Sequence, residues 1–233
     1  MARVMGEQGC NYCNPVLRAE AEAGIITSCE TDEGGQNCIR CHSRPRIRAM
    51  AYTIGTIGRS ACETLGICGS AQGLMASPSG LERELIGPLT SSLVTFSLYG
   101  NYGKGHVTCD ICDMGIFEAE SFDLFEACQV FDYVPDVARA IGNVARVLKR
   151  KAVIFVHVSD ERLLPGDEAA SVVRYRTGGN APYYEKDYRQ PIVNLGREWF
   201  AGEWRKYGFS IQQVRWLDSA TKKSLTWWVG TRA

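Results

Sequence analysis

Residues 122–159 read FDLFEACQVFDYVPDVARAIGNVARVLKRKAVIFVHVS. The segment joins a short apolar strand, a polar turn, a helix with apolar residues at Val137, Ile141 and Val144, and a β-branched apolar run. A continuous apolar run of this length is typical of a parallel strand that is buried on both faces. The order predicts a βαβ unit of an α/β sheet, in which ligands bind beyond the carboxyl ends of the strands.

The same alternation extends on both sides of this segment. Before it, the strand candidates GLMAS and SLVTFSLYG flank SPSGLERELIG, which has the Ser–Pro start, early Glu and terminal Gly of a helix. After it come a helix candidate, NLGREWFAGEWRKYG, and a hairpin formed by FSIQQVRW and SLTWWVG. We therefore predict an α/β domain over residues 73–233, with a doubly wound, mostly parallel sheet and an antiparallel final strand.

Three segments depart from this alternation. Residues 1–58 form a Cys-rich segment followed by a helix, and residues 59–72 carry no clear signal and are interpreted as a linker. Residues 160–193 form a long polar insert that contains Tyr175 and Tyr184. Long loops inside compact domains commonly carry function, so the insert is a candidate cover for a substrate pocket. An ordinary solvated loop with packed tyrosines explains it equally well.

Composition and charge narrow the classes of function. The chain of 233 residues is 45% hydrophobic and 22% charged, as in an ordinary globular protein. Its formal net charge of zero argues against a protein that holds nucleic acid mainly through phosphates, although Arg40, Arg44, Arg46 and Arg48 form a local basic group. No segment has the length and apolarity of a membrane span or a signal peptide. These features predict a cytoplasmic protein.

Two Cys-x-x-Cys pairs predict a structural zinc site with the ligands Cys10, Cys13, Cys38 and Cys41. Ten cysteines without a secretion signal indicate a reducing compartment, where paired cysteines suggest metal before disulfide. Each pair can present two thiolates to one tetrahedral ion, although the 24-residue gap is slightly longer than the common pattern. Cys29 and His42 are competing ligands, and metal-free reduced turns are the alternative.

The segment 122–159 resembles the second half of a class I S-adenosylmethionine-dependent methyltransferase. The resemblance rests on the strand, the Pro–Asp near the helix start, RVLKRK in place of the family's RVLKPGG, and the later strands YGFSIQQV and LTWWVG. The N-terminal CNYC…CIRCHSRPRIR is similar to a zinc-ribbon-like segment that precedes this domain in some bacterial proteins. The resemblance covers residues 73–233 and implies a Rossmann-like fold with S-adenosylmethionine as the cofactor.

The resemblance also implies cofactor-binding positions at the ends of four strands. They are Ala76, Ser77, Pro78, Ser97, Asp110, Ile111, Ala127, Cys128 and Gln129. Asp110 matches the acidic residue that accepts from the adenine amino group. The sequence departs from the family in the first loop, which lacks internal glycines, and at Ser97, which replaces the acidic ribose partner. Gln129 stands where the family often has histidine.

The sequence leaves the chemistry partly open. Methyl transfer mainly requires that the acceptor be positioned and water be excluded. The catalytic residue is undetermined, with His157, Tyr175 and Tyr184 as candidates, and a satisfied core histidine is the alternative for His157. Glu126 either pairs with the cofactor's ammonium group or faces solvent, and Cys128 either lines the pocket or is a buried inert thiol.

We expect methyl transfer to a small molecule in specialised metabolism. Three alternatives share some of the same features and stay open. They are cyclisation of S-adenosylmethionine with release of methylthioadenosine, RNA methylation, and a degenerate domain that only binds a partner. The acceptor atom and the oligomeric state are not determined by the sequence.

Overall fold

The computed structural model describes residues 31–32, 37–98, 105–164, 172–177, 189–218, 221 and 223–233. Within these ranges, the side chains of residues 172, 174–177 and 189 are not described. Two predicted zinc ligands, Cys10 and Cys13, lie outside the described residues, as do Cys29 and Tyr184.

Helices and strands alternate along most of the described chain. The helices are α1 (Pro45–Thr53), α2 (Arg59–Thr64), α3 (Gly80–Ile86), α4 (Val137–Val147) and α5 (Arg197–Arg205). The strands are β1 (Ala71–Ala76), β2 (Thr90–Ser97), β3 (His106–Thr108), β4 (Phe122–Cys128), β5 (Leu148–His157), β6 (Leu163–Leu164), β7 (Val172–Thr177), β8 (Arg189–Gly196), β9 (Ser210–Leu217) and β10 (Ser224–Arg232).

Seven strands form one sheet in the order β3-β2-β1-β4-β5-β10-β9. Strands β1 to β5 run parallel to one another, and β10 runs antiparallel to both β5 and β9. The predicted mostly parallel sheet with an antiparallel final strand is therefore confirmed. The chain leaves β1 towards β2 and later returns to place β4 on the other side of β1, so the topological switch point lies between β1 and β4.

Both faces of this sheet are covered by helices. On one face, Ile141 of α4 and Trp204 of α5 pack in a core cluster that includes Phe125 of β4. On the other face, Met50 of α1 and Ile86 of α3 pack in a cluster that includes Leu124 of the same strand. Successive strand residues point to opposite faces, which explains why β4 and β5 are apolar on both sides.

The segment between α1 and β1 differs from the sequence-based expectation. Residues 59–72, interpreted as a linker, contain α2, and Cys62 is buried in the core cluster beside α1. A π-helical turn, Ile54–Gly58, joins the two helices. A Cβ atom at Gly58 would lie 2.4 Å from Cε1 of Phe155, so glycine permits this turn to pack on β5. The weak helix signal of this glycine-containing stretch therefore reflects packing against the sheet.

Two element boundaries also differ from the sequence-based ones. Helix α4 begins after Asp136, whose carboxylate accepts a hydrogen bond from the Arg139 N–H at 3.0 Å, as the Pro–Asp pattern suggests. Helix α4 ends at Val147, and β5 begins at Leu148, so the last part of the predicted helix is strand.

The insert 160–193 contributes to a separate three-stranded sheet, in the order β6-β8-β7.

Candidate active site

The carboxyl ends of β1 and β4 are neighbours at the switch point, and each ends in a residue with left-handed backbone conformation. Ser77 follows β1 with φ of 50°, and Gln129 follows β4 with φ of 57°. The Ser77 N–H donates to the carbonyl of Phe96 at 2.7 Å, and the Gln129 N–H donates to the carbonyl of His157 at 2.8 Å. Left-handed residues other than glycine are uncommon and often mark functional sites.

The first loop, which connects β1 to α3, ends in a capping box at the start of α3. The Ser79 N–H donates to Oε2 of Glu82 at 2.5 Å, and the Glu82 N–H donates to Oγ of Ser79 at 3.4 Å. Pro78 is buried beside them, whereas Ser77 is exposed. Fixed side chains, rather than the family's glycines, therefore define the shape of this loop.

At the end of β2, Ser97 belongs to a polar network. Its Oγ lies 3.0 Å from Nε2 of His106, and Nδ1 of the same ring lies 3.1 Å from Oγ1 of Thr95. Arg83 of α3 donates to Thr95 Oγ1 at 3.0 Å. The hydroxyl at the predicted ribose position is therefore already bonded to a neighbouring strand.

Asp110 follows β3 at the open edge of the sheet. It is exposed, and its Oδ1 accepts a hydrogen bond from the Cys112 N–H at 2.8 Å. Ile111 beside it is buried. Ala76 and Ala127 lie in the core cluster on the face of α4 and α5, so these two predicted cofactor positions support the sheet from within.

Two buried acidic residues, Glu82 and Glu126, lie close to the half-buried side chains of Arg46 and Cys128. Glu126 is fully buried, and neither carboxylate oxygen has a hydrogen-bond partner among the described residues. Burial raises its pKa well above the ordinary value, the charge of Glu82 raises it further, and Arg46 opposes both. Arg46 lies 3.6 Å from Glu82, measured from Nε to Oε1. Glu126 therefore does not face solvent.

Cys128 is held in its thiol form by the same surroundings. Burial raises its pKa well above the ordinary value, and the nearby acidic residues add to this effect. A thiol that stays protonated is a poor nucleophile. The protonated thiol agrees with the inert alternative, but a half-buried side chain can also line a pocket, so the role of Cys128 stays a prediction.

Replacing Glu126 with glutamine is expected to stabilise the cofactor-free protein increasingly as pH rises. The folded-state pKa of Glu126 lies well above its ordinary value of 4.5. The stability that the neutral carboxyl contributes to the fold is therefore fully present below pH 4.5 and is lost as pH rises through the folded-state pKa. Glutamine has a similar shape and cannot ionise. Chemical denaturation at several pH values measures the difference in free energy of unfolding, and a difference that does not change with pH would contradict a neutral buried carboxyl.

His157 ends β5 with a defined tautomer. Its Nδ1 lies 2.8 Å from the carbonyl oxygen of Thr226, and because a carbonyl only accepts, Nδ1 carries the proton. Nε2 therefore keeps a lone pair, and it is buried without a hydrogen-bond partner in the described part of the chain. Burial lowers the pKa of the ring to about 4, so His157 is neutral at pH 7. Its ring stacks on Trp227 at a centroid distance of 5.2 Å.

A cavity of about 410 Å³ opens beside His157. The start of α1, the ends of β4 and β5 and the start of β10 line it, and its wall includes Arg46, Gln129, His157, Asp160 and Lys223. The volume lies in the range of small-molecule sites. Gln129 is thus shared between the predicted cofactor loops and the cavity, and its Nε2 donates to Oγ of Ser159 at 2.9 Å.

Sequence reasoning missed several residues of this region. Arg46 gave a partial signal as a member of a basic group, and Glu82 as an early acidic residue of a helix. Asp160 and Lys223 gave no signal, because the sheet brings distant chain segments together there. Tyr175 lies in β7, where its side chain is not described, so its predicted role stays a prediction.

The second Cys-x-x-Cys pair forms a tight turn. The His42 N–H donates to the carbonyl of Cys38 at 2.8 Å, the Cys38 N–H donates to the carbonyl of Ser43 at 3.1 Å, and His42 has φ of 56°. The described residues contain no group of three or more side chains that could hold a metal ion, and the first pair lies outside them. The predicted zinc site is therefore not shown.

Among the described helices, none has the length and apolarity needed to cross a membrane.

Comparisons with known proteins agree with this geometry. Residues 93–156 match a family model described as a methyltransferase domain. The structure is similar to an S-adenosylmethionine-dependent methyltransferase from Mesorhizobium loti, with a TM-score of 0.52 and 11% identity over 74% of this chain and 96% of that chain. It is also similar to one from Clostridium acetobutylicum, with a TM-score of 0.50 and 14% identity over 73% of this chain and 87% of that chain.

At these identities the structural likeness shows a shared fold. A comparison with curated proteins found no match. The matched residues include β4, α4 and most of β5, together with the predicted adenine contact Asp110. The chain therefore contains a segment that matches a methyltransferase-domain model, and it shares its fold with S-adenosylmethionine-dependent methyltransferases.

Proposed function

We propose that the protein transfers the methyl group of S-adenosylmethionine to a small molecule bound in the cavity beside His157. The observation that carries this proposal is the cavity of about 410 Å³ at the carboxyl edge of the sheet, which shares Gln129 with the predicted cofactor loops. A pocket of this size buries a small acceptor and excludes water from it. A place in specialised metabolism stays a hypothesis that comes from the sequence resemblance.

Two residues at the carboxyl edge, Asp110 and Glu126, fit groups of the cofactor. Asp110 has a second carboxylate oxygen that suits the adenine amino group. Glu126 is a buried carboxyl without a hydrogen-bond partner among the described side chains, and a nearby cation such as the methionine ammonium group would stabilise its ionised form. Ser97 fits less well as a ribose partner, because its hydroxyl contacts His106.

Bound S-adenosylmethionine would supply a methyl carbon that is activated by positively charged sulfur. The chain itself has to hold the acceptor in line with this carbon and keep water out. The hydrogen bond from Gln129 to Ser159 joins the ends of β4 and β5 at the cavity and fixes one wall. The ion pair between Asp160 and Arg197, at 3.1 Å, fixes another part of the wall.

Calorimetric titration with S-adenosylmethionine and S-adenosylhomocysteine, followed by mass spectrometry of the products, tests the proposed function. We expect micromolar binding and S-adenosylhomocysteine as the by-product. Methylthioadenosine would favour cyclisation instead, and failure to bind either ligand would favour the degenerate binding domain. Salt-dependent RNA binding would revive the RNA methyltransferase alternative.

Replacing Asp110 with asparagine is expected to weaken S-adenosylmethionine binding about tenfold, because it removes a charge-assisted acceptor worth about 1.5 kcal/mol or more. Asparagine keeps an oxygen that can accept from the Cys112 N–H, so the turn after β3 should persist. The matched control is Asp113→Asn, which removes another exposed carboxylate three residues away. Equal affinities of the two variants in calorimetry would remove Asp110 from the cofactor site.

We further propose structural zinc at Cys10, Cys13, Cys38 and Cys41. The tight turn at Cys38–Cys41 supports the second half of such a site, since two thiolates of a Cys-x-x-Cys turn can bind one ion. Protein purified without chelator is expected to hold about one equivalent of zinc by atomic emission, and Cys41→Ser to lose it. Cys68→Ser is the control, because Cys68 belongs to neither pair. Zinc-free protein with unchanged stability would contradict this proposal.

A further inference from the structure

We infer that Arg46 is a positioning residue, which holds the first loop in shape for the cofactor from a place in the cavity wall. The inference rests on the proposed function and deepens it by naming a residue that acts on the cofactor site through another side chain. It comes from the two buried acidic residues that lie close to Arg46.

The side chain of Arg46 extends from the cavity to the start of α3. Arg46 is the second residue of α1, and it lines the cavity beside His157. Its side chain is 23% exposed, whereas its Nε is buried and lies 3.6 Å from Oε1 of Glu82. Helices α1 and α3 contact each other, so this ion pair joins the cavity wall to the helix that follows the first loop.

Glu82 uses its two carboxylate oxygens in different ways. Oε2 accepts the hydrogen bond from the Ser79 N–H at the end of the first loop, and Oε1 faces Arg46. The Glu82 side chain is 3% exposed, and Oε1 has no hydrogen-bond partner among the described residues. A buried carboxylate is strongly unfavourable without a cation, and in the described part of the chain Arg46 is the cation that pairs with it.

The hydrogen bond to Ser79 matters because the first loop is short and lacks internal glycines. The loop consists of residues 77–79, and Ser77 has a left-handed backbone conformation with φ of 50°. A residue other than glycine keeps such a conformation only where its surroundings hold it. The Ser77 N–H is bonded to the carbonyl of Phe96, and the Ser79 N–H is bonded to Glu82. The carboxylate therefore fixes the end of the loop, and the ion pair fixes the carboxylate.

A second buried acid makes the positive charge of Arg46 more important. Glu126 of β4 is fully buried, and both of its carboxylate oxygens lack hydrogen-bond partners among the described side chains. The charges of Glu82 and Arg46 shift the pKa of Glu126 in opposite directions, so these three side chains lie close together. Without Arg46, the two acids would share one buried region without the cation beside them, and repulsion would displace Glu82 from the Ser79 N–H.

Calorimetric titration of the full chain with S-adenosylhomocysteine tests the inference. Arg46→Met is expected to bind this ligand about tenfold more weakly than wild type, because the loop loses its fixed shape. Arg46→Lys should stay within about threefold of wild type, because an ion pair at 3.6 Å depends on charge rather than on a bidentate hydrogen bond. The matched control is Arg59→Met, which removes an exposed ion pair with Glu63 and should leave the affinity unchanged.

A second background shows whether Arg46 acts through Glu82. In Glu82→Gln the amide oxygen still accepts from the Ser79 N–H, and the side chain carries no charge that needs Arg46. Adding Arg46→Met to Glu82→Gln should therefore cause no further loss of affinity, whereas a role in packing alone would give the same loss in both backgrounds. Should Arg46→Met not fold, Arg46→Gln removes the charge, keeps a polar side chain and takes its place.

Amide hydrogen exchange on the ligand-free protein gives a readout that does not depend on the cofactor. The peptide that contains Ser79 should exchange faster in Arg46→Met than in wild type, since the Ser79 N–H loses its acceptor. The same peptide should exchange at the wild-type rate in Arg59→Met.

Three results would each overturn the inference. They are equal affinity of Arg46→Met and wild type, a loss of affinity that is as large in the Glu82→Gln background, and unchanged amide exchange in Arg46→Met. Failure of the wild type to bind S-adenosylhomocysteine would instead contradict the proposed function. The exchange experiment would still test the role of Arg46 in the loop, so the two failures are distinguishable.

Discussion

Replacing Arg48 with methionine is expected to lower the free energy of unfolding by about 3–5 kcal/mol. Arg48 is 1% exposed, and its Nε and Nη2 donate to the two carboxylate oxygens of Asp218 at 3.0 Å and 2.9 Å. Its Nη1 donates to the carbonyl of Ser43 at 2.6 Å. Methionine would leave a buried carboxylate without its cation, which is far less favourable than losing an exposed ion pair.

Two further variants separate charge from packing in this experiment. Arg48→Met/Asp218→Asn should recover most of the lost stability, because asparagine removes the unpaired charge and keeps an acceptor for the Thr221 N–H. Arg59→Met removes the exposed ion pair with Glu63 and should change stability by less than about 1 kcal/mol. Urea denaturation followed by tryptophan fluorescence measures all three. A loss below about 1 kcal/mol in Arg48→Met would show that the buried pair contributes no net stability.

The consequence of losing Arg48 should extend to the cavity. Arg48 joins the end of the Cys-x-x-Cys turn, through Ser43, to the end of β9, through Asp218. Arg46, which lies in the same helix as Arg48, and Lys223, which follows Asp218 in the chain, both line the cavity. We therefore expect Arg48→Met to disturb the cavity wall as well as lower stability.

Acidification is expected to destabilise the wild type by about 3 kcal/mol through His157 alone. The pKa of this ring is lowered from 6.5 to about 4 by burial, with a further contribution from Arg46. Because the folded-state pKa of His157 is lowered, the contribution of the neutral ring to the free energy of unfolding is complete above pH 6.5 and is lost as pH falls towards 4. The unfolded chain binds a proton in this window, whereas the folded chain does not.

A comparison with variants that cannot titrate isolates this effect. His157→Phe and His157→Gln should both gain about 3 kcal/mol in unfolding free energy relative to wild type as pH falls from about 7.5 to about 4. Guanidinium denaturation across this pH range measures the gain. A difference that is independent of pH in both variants would show that the ring is not a buried neutral base.

The sequence predicted the sheet correctly because its signals are local. The β-branched run at β5, the helix period of α4 and the Asp136 cap are all read from neighbouring residues. The positions Ser77, Asp110 and Gln129 were also placed at strand ends, since strand boundaries follow from the same patterns. Local signals were weakest at residues 59–72, where the structure has α2 and buries Cys62 in a core cluster that includes Phe155 of β5.

The basic group Arg40, Arg44, Arg46 and Arg48 shows the limit of such patterns. Adjacent in sequence, its members have different surroundings: Arg48 is buried against Asp218, Arg46 lies beside Glu82, and Arg44 is an exposed residue of the cavity wall. Successive residues of a helix point in different directions, so a run of charges separates once α1 packs on the sheet. The cluster is therefore not a single basic surface.

The sequence by itself determined the α/β class, the order of the strands and helices that build the seven-stranded sheet, and the positions where β1 to β4 end, but not α2 or the strands of the insert. Only the tertiary structure decided which groups meet there, because those contacts join residues that are far apart in the chain. Arg48 and Asp218 are 170 positions apart, and His157 and Thr226 are 69 apart. The periodicity of one segment carries no information about a partner that is distant in the chain. The tautomer of His157, the burial of Glu126 and the charge of the cavity wall all depend on such distant partners.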